Sequence, residues 1–350
     1  MSRLSVVIAN FNYSQFVAAA IESALTVDWP DIEVIVIDDG STDDSLAVIR
    51  RYADRITILE QPNAGQRRAT NVAFAHTTGD VVIFLDSDDV LYPAIAREIA
   101  AVWRLGLSKV QVQMQRIDSA GVATGGVFPE FSVTPTPAQI RHWMIETTAY
   151  PTPPGSGNAY AREFLEQIFP LDGRCGEASD SAPLAAAPFL GDVVTVAKPL
   201  VGYRLHGTND SDLMINPIER FPAQVERAYQ RHMYALDVSG RASDPHPLRP
   251  LFRNRHLLQL RIAERRLNPH ATRPIPTDSG GRMMRNALGA VLAPGPESLG
   301  RRLAVLEWCV ATLIAPIALA EPLIRARYSH APVALTASES SSAVRSIPKA

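Results

Sequence analysis

Val81-Val82-Ile83-Phe84-Leu85-Asp86-Ser87-Asp88-Asp89 runs five apolar residues straight into three carboxylates. A short, unbroken apolar run behind Gly79-Asp80 has the pattern of a strand buried on both faces, as in a parallel sheet. Carboxylates crowded onto the loop after such a strand repel one another unless a cation joins them. Hard divalent ions such as Mg²⁺ or Mn²⁺ prefer these oxygen ligands, and Mg²⁺ takes one or two carboxylates with phosphate oxygens and water in its other positions. A solvated turn or helix cap is the plainer alternative. A calcium-binding EF-hand is excluded, because Val90 and Leu91 stand where a ligand and a glycine are needed.

Outward from this loop, strand and helix signals alternate. Leu4–Ala9 is a second apolar run; Ser14 can cap a helix running to about Leu25, with Phe16, Ala20, Ile21 and Ala24 on one face. Glu33–Ile37 is a strand that runs into another acidic loop, Asp38-Asp39-Gly40-Ser41-Thr42-Asp43, followed by a helix to Tyr52. Ile56–Leu59 is a strand, Gln66–Ala75 a helix, and Pro93 starts a helix toward Leu105. Such alternation implies parallel β-α-β units, an α/β fold with helices on both faces of the sheet. Ligands of these sheets bind at the carboxyl ends of the strands, where both acidic loops fall.

Farther along, Val110, Val112 and Met114 alternate with Gln111, Gln113 and Gln115, a strand with one polar face. Asn158–Phe169 and Asp180–Phe189 look helical, and Val193–Ala197 looks like a strand. Beyond about Ile215 the chain becomes helical and Arg-rich, over Glu219–Leu236 and Leu251–Leu267, and then apolar over Leu303–Ile324. The expected division is a catalytic domain at 1–215, a helical region at 216–330 and a disordered tail at 331–350.

The formal net charge of -2 and pI near 6.5 argue against a nucleic-acid partner, so anionic ligands must be met by local sites. Two widely separated cysteines, Cys175 and Cys309, fit neither a disulfide framework nor a zinc site, and are consistent with a reducing compartment. The first residues are too briefly apolar for a signal peptide. The uncharged stretch Trp308–Ala320 is shorter than the roughly 20 residues a spanning helix needs. Arg301, Arg302, Arg325 and Arg327 flank it, as in a helix lying on a membrane surface. The expected location is the cytoplasm, with peripheral contact at the inner membrane face through 301–327.

The ordered set Ser5-Val6-Val7-Ile8-Ala9-Asn10-Phe11-Asn12, Val36-Ile37-Asp38-Asp39-Gly40-Ser41-Thr42-Asp43, Asn63-Ala64-Gly65-Gln66-Arg67-Arg68-Ala69-Thr70-Asn71 and Phe84-Leu85-Asp86-Ser87-Asp88-Asp89 closely resembles the family 2 glycosyltransferases of the GT-A fold. The resemblance covers about residues 4 to 212 and implies a Rossmann-like, mostly parallel sheet flanked by helices, here with a helical C-terminal extension. It implies a nucleoside-diphosphate-sugar donor, in most such enzymes UDP-linked, a glycan or lipid-linked acceptor, and inversion at the anomeric carbon. By the same resemblance Asn10, Phe11, Asn12 and Asp39 line the nucleotide pocket, Arg68 lies near the phosphates, and Asp86 faces the ribose or donor sugar. Asp88 with Asp86 is the metal-binding acid pair. The segment Tyr203-Arg204-Leu205-His206-Gly207 is similar to one that ends many such domains, which makes Arg204 a phosphate ligand and His206 a further metal ligand. The catalytic base falls on Asp180, with Glu177 as runner-up; a helix cap is the alternative for Asp180. Gly155-Ser156-Gly157-Asn158 resembles an acceptor-side wall. Two other readings remain: a nucleotidyltransferase, which would need a Gly-rich phosphate loop with a lysine near the N-terminus that is absent, and a catalytically degenerate nucleotide-sugar-binding protein.

Overall fold

Leu4–Asn10 forms β1 at the centre of a parallel half-sheet, with Val6 and Ile8 fully buried. Full burial of side chains of this size contributes about 1.5–3 kcal/mol each. The computed structural model describes residues 3–206, 220–269, 275 and 279–328. β2 (Ile32–Asp38) and β4 (Val81–Asp86) pair with β1 on its two sides, and β3 (Thr57–Glu60) pairs with β2, all parallel. The helices that return the chain are α1 (Val17–Leu25), α2 (Ser45–Ile49) and α3 (Gln66–Ala75). This half is as the alternation predicts. Ser14 does not cap α1; its N–H donates to Asp43, so it ties the first loop to the second.

Beyond β4 the sheet becomes mixed. β5 (Val90–Leu91) leads to α4 (Ile95–Val102), β6 (Leu107–Ile117), β7 (Ala123–Phe128) and α5 (Pro137–Thr147). β8 (Asn158–Ala161), α6 (Arg162–Leu165), α7 (Ser181–Leu190) and β9 (Asp192–Arg204) follow. The strand order is β3-β2-β1-β4-β8-β6-β9-β5, with β7 on β6. β8 corrects the helix expected from Asn158: it lies antiparallel between β4 and β6, with Tyr160 sealed in the core. The polar face of β6 is also covered rather than solvated. Lys109 Nζ donates to Thr152 and Asn158, and Gln111 Nε2 donates to Pro151 O and Thr195. These bonds satisfy groups whose burial would otherwise be costly.

The C-terminal helices are α8 (Phe221–Val238), α9 (Arg249–Arg253), α10 (Arg255–Leu267), α11 (Gly280–Leu292), α12 (Leu299–Ile314) and α13 (Ile317–Tyr328). The run expected at Leu251–Leu267 breaks at Asn254, whose side chain caps α10. α8 packs onto the first part of the chain. Its Tyr234 joins the core under α3 and α7, and its Ala235 packs with Met144 of α5 and Ala185 of α7. The expected boundary at 215 and the tail at 331–350 lie outside the described residues.

Candidate active site

The carboxyl ends of β1, β2 and β4 open on a cavity of about 610 Å³. One end of it is built by the two acidic loops bracing each other. Asn10 Nδ2 donates to Asp38 and Ser41, and Asn12, at φ +58°, accepts from the backbone N–H of Thr42 and Asp43. Asn10 and Phe11 line the cavity, and Phe11 is 40% exposed. Asn12 is not among the lining residues; it clamps the loop. Asp39 lines the cavity and accepts from Gln61 Nε2 at 2.5 Å, Ala64 N at 2.9 Å and Gly65 N at 2.8 Å. Gly40, at φ +72°, permits this approach: a Cβ there would stand 2.6 Å from Asn63 N.

Because Asp39 holds two backbone N–H groups, Asp39→Ala is expected to abolish nucleotide binding and to destabilise the fold by about 1–3 kcal/mol, the cost of leaving buried donors unpaired. Phe11→Ala is expected to weaken nucleotide binding alone. Thermal melts run beside calorimetric titrations separate the two effects, and an unchanged melt for Asp39→Ala would refute the bracing role.

The loop after β4 holds the acids. Ser87 Oγ ties it to Ala9 O, and Asp89 Oδ1 accepts from Arg204 N. Asp86 accepts from Gln66 at 3.2 Å and from Ser156 at 3.4 Å, and its own N–H donates to Ser156 Oγ. Asp88 Oδ2 lies 2.9 Å from His206 Nε2, whose ring packs against Phe16 and Tyr13. Burial, and then the charges of Asp88 and Asp180, push Asp86 up to about 7. Burial also raises Asp89, with Asp88 and Asp86 adding to it. An electrostatic field that resists its own ionisation is the environment a divalent cation relieves. Among the described residues no three acidic, histidine or cysteine side chains form a preformed metal cage. The expected trio of Asp86, Asp88 and His206 is therefore not assembled as one. The Asp88–His206 pair, with Asp86 on the same cavity, suits an ion that draws its other ligands from phosphate and water.

Asp180 faces this cavity as well. It occupies the N-cap position of α7, yet its side chain makes no capping bond, which removes the capping explanation for it. Gly155 lies between the acids: a Cβ there would fall 3.5 Å from Asp86 Oδ2 and 3.8 Å from Asp180 Cβ. Burial raises the Asp180 carboxyl, opposed by Arg231, the Gly155 N–H and Lys109. Glu177 does not line the cavity; its side chain is 70% exposed and pairs with Arg67 at 3.3 Å.

Two expectations for arginines are corrected. Arg68 sits on the exposed face of α3 and does not line the cavity. Arg204 is buried and donates to the carbonyls of Asp88, Asp118 and Ser119, with Phe16 beneath its guanidinium; it holds the acidic loop rather than facing a phosphate. Among the described residues, the arginines that do line the cavity are Arg227 and Arg231 of α8, which the sequence reading missed. Their spacing of four on one helix was visible, but nothing local says which neighbour that face meets.

Glycosyl transferase family 2 matches residues 5–169. Over that segment the chain is similar to the family. It is similar to an uncharacterised glycosyltransferase of Nostoc sp., 36% identical over 222 residues, 59% of this chain and 66% of the relative. It is also similar to the poly(ribitol-phosphate) beta-N-acetylglucosaminyltransferase TarS of Staphylococcus aureus, 28% identical over 161 residues, 43% of this chain and 28% of TarS. The chain thus spans less than two thirds of the length of these curated relatives. Among solved structures, S. aureus TarS 1–349 in complex with UDP-GlcNAc superposes with a TM-score of 0.54 at 16% identity, covering 93% of this chain and 91% of that one. A mannosyltransferase of Pyrobaculum calidifontis, in complex with GDP-Man and Mn²⁺, gives 0.50 at 16% identity, covering 93% and 85%. At such identities the likeness concerns the fold: the chain has the GT-A architecture.

Proposed function

We propose that the protein is an inverting glycosyltransferase that moves a sugar from a nucleoside diphosphate, with UDP favoured, to a hydroxyl of a glycan or lipid-linked acceptor. The observation that carries this reading is Asp180: a half-buried carboxylate that caps nothing, sharing one cavity with Asp39 at the nucleotide end and with Asp86 and Asp88. The Asp39 carboxylate retains lone pairs for a base N–H, as uracil presents at N3. Asp86 faces the donor sugar. Asp88 and His206, with Asp86 beside them, would hold a Mg²⁺ or Mn²⁺ ion, which would neutralise the charge that builds on the departing diphosphate.

Asp180 takes the proton of the acceptor hydroxyl as that oxygen attacks the anomeric carbon. The new O–C1 bond forms on the face opposite the C1–O–phosphate bond, whose electron pair leaves with the diphosphate. A single displacement of this kind inverts the anomeric centre. Arg227 and Arg231 add positive charge at the cavity wall. Calorimetric titration with UDP, GDP and dTDP, in Mn²⁺ and then in EDTA, tests the donor site. Metal-dependent binding of one nucleotide supports the reading, and binding of none would overturn it.

The C-terminal helices support a second part of the proposal, contact with an anionic bilayer. Among the described residues, eight of the thirteen exposed large apolar side chains fall between Leu288 and Leu323, on α11, α12 and α13. Arg301, Arg325 and Arg327 are exposed on the same helices, whereas Arg302 turns inward onto the carbonyls of Ala293, Gly295 and Glu297. Apolar side chains beside arginines match an interface that is part acyl chain and part anionic headgroup. No helix among the described residues is long and apolar enough to cross a membrane. Sedimentation with phosphatidylglycerol vesicles is expected to pull the protein down, and Leu299→Glu with Leu319→Glu to cut the bound fraction about tenfold. Equal partitioning of the double variant would exclude this surface.

A further inference from the structure

A second cavity, of about 510 Å³, adjoins the first, between α5, the segment Thr148–Thr152, α7, α8 and α10. Its size falls within the range of small-molecule sites. Arg231 lines both cavities and is the one residue they share. Among the described residues no carboxylate lines the second cavity, while Arg231, His232 and His256 do.

His232 is 2% exposed. Its Nε2 lies 2.5 Å from Pro247 O, and a carbonyl only accepts, so Nε2 carries the hydrogen and Nδ1 presents a lone pair. That Nδ1 is buried and has no hydrogen-bond partner among the described residues. Burial lowers the ring's pKa, which keeps it in this neutral form. A buried acceptor without a donor is costly unless a ligand or water supplies one.

The order of groups gives the cavity its role. In the proposed reading Asp39 marks the nucleotide end, Asp88 the diphosphate, Asp86 the donor sugar, and Asp180 the point where the acceptor hydroxyl is deprotonated. Arg231 acts electrostatically on Asp180 and opens onto the second cavity. What extends past Asp180 in that direction belongs to the acceptor. We propose that this second cavity is an acceptor subsite for a sugar phosphate or polyol phosphate, with Arg231 on a phosphate and His232 Nδ1 accepting from a hydroxyl. The proposal rests on the glycosyltransferase reading and specifies its acceptor as anionic. A planar guanidinium matches phosphate geometry, and its charge-assisted bonds are about twice as strong as neutral ones.

The test is calorimetry on the full chain at saturating UDP and Mn²⁺, with a short polyol-phosphate oligomer as probe and the dephosphorylated oligomer as control. The phosphorylated probe is expected to bind at least about tenfold more tightly than the control, the worth of one charge-assisted contact. Arg231→Gln is expected to erase that difference. Ala228→Trp, which fills the cavity from α8, is expected to weaken the probe by about tenfold or more with UDP affinity unchanged. Should Ala228→Trp fail to bind UDP, Gln224→Trp fills the same cavity from one turn earlier. Equal binding of the two oligomers, or a cavity-filled variant that binds UDP and the probe as the wild type does, would overturn the subsite. Loss of UDP binding by the wild-type protein would instead overturn the donor site, so the two failures are distinct.

Discussion

Asp180→Asn is expected to lower kcat by about 10³-fold, within the range that a positioned general base contributes. The amide keeps the shape of the carboxylate and can still accept from the Gly155 N–H, but it cannot take a proton. Nucleotide affinity is expected to stay within about twofold, because the Asp39 end of the cavity is built by other residues. The melting temperature should not fall, since the Asp180 side chain does not cap α7. Glu177→Gln is the paired control: its exposed carboxylate meets Arg67 and does not line the cavity, so kcat is expected to stay near the wild-type value. A variant at Asp180 that keeps more than about a tenth of wild-type turnover would place the base elsewhere.

The pH profile adds a second signature. A general base works ionised, and burial holds the Asp180 carboxyl above the ordinary aspartate range. The acid limb of kcat/KM is therefore expected to fall as pH drops through a midpoint above that range, and to vanish in Asp180→Asn. Arg231 pulls the same carboxyl downward, so Arg231→Gln is expected to move the limb to higher pH.

Much of the donor side was legible because it is made of local patterns. Apolar runs that end in acids define β2 and β4, and the glycine of Asp38-Asp39-Gly40 marks a turn only that residue can make. What could not be read depends on which elements meet. β8 has the composition of a helix start, and only its place between β4 and β6 makes it a strand. β7, with two glycines in six residues, carries no strong strand signal. Arg204 and Arg227 show the same limit from opposite sides. The one in the motif turns inward onto carbonyls, and the one on a featureless basic helix reaches the cavity. A guanidinium is equally suited to a carbonyl clamp and to a phosphate, and only packing decides between them.

Asp88→Ala is expected to remove the metal-dependent part of nucleotide binding and to lower kcat by about 10²–10³-fold, the several kcal/mol that charge neutralisation by a bound cation is worth. The substitution leaves the loop in place, because Asp88 is tied by its backbone carbonyl to Arg204 Nε and the neighbouring Asp89 carboxylate accepts from Arg204 N. Stability should therefore change by less than about 1 kcal/mol, the size of a partly exposed hydrogen bond to His206. His206→Asn is expected to fall between the wild type and Asp88→Ala, since it removes the softer partner and spares the carboxylate. Asp86→Asn separates the two acids. If Asp86 faces the donor sugar, its loss depresses turnover of the intact nucleotide sugar more than it weakens UDP itself. The measurement is UDP calorimetry with Mn²⁺ and with EDTA on each variant, beside initial rates. An Asp88→Ala protein whose UDP affinity responds to Mn²⁺ as the wild type's does would remove Asp88 from the metal site, and the Asp88–His206 pair would then serve only to fix the end of β9 against the acidic loop.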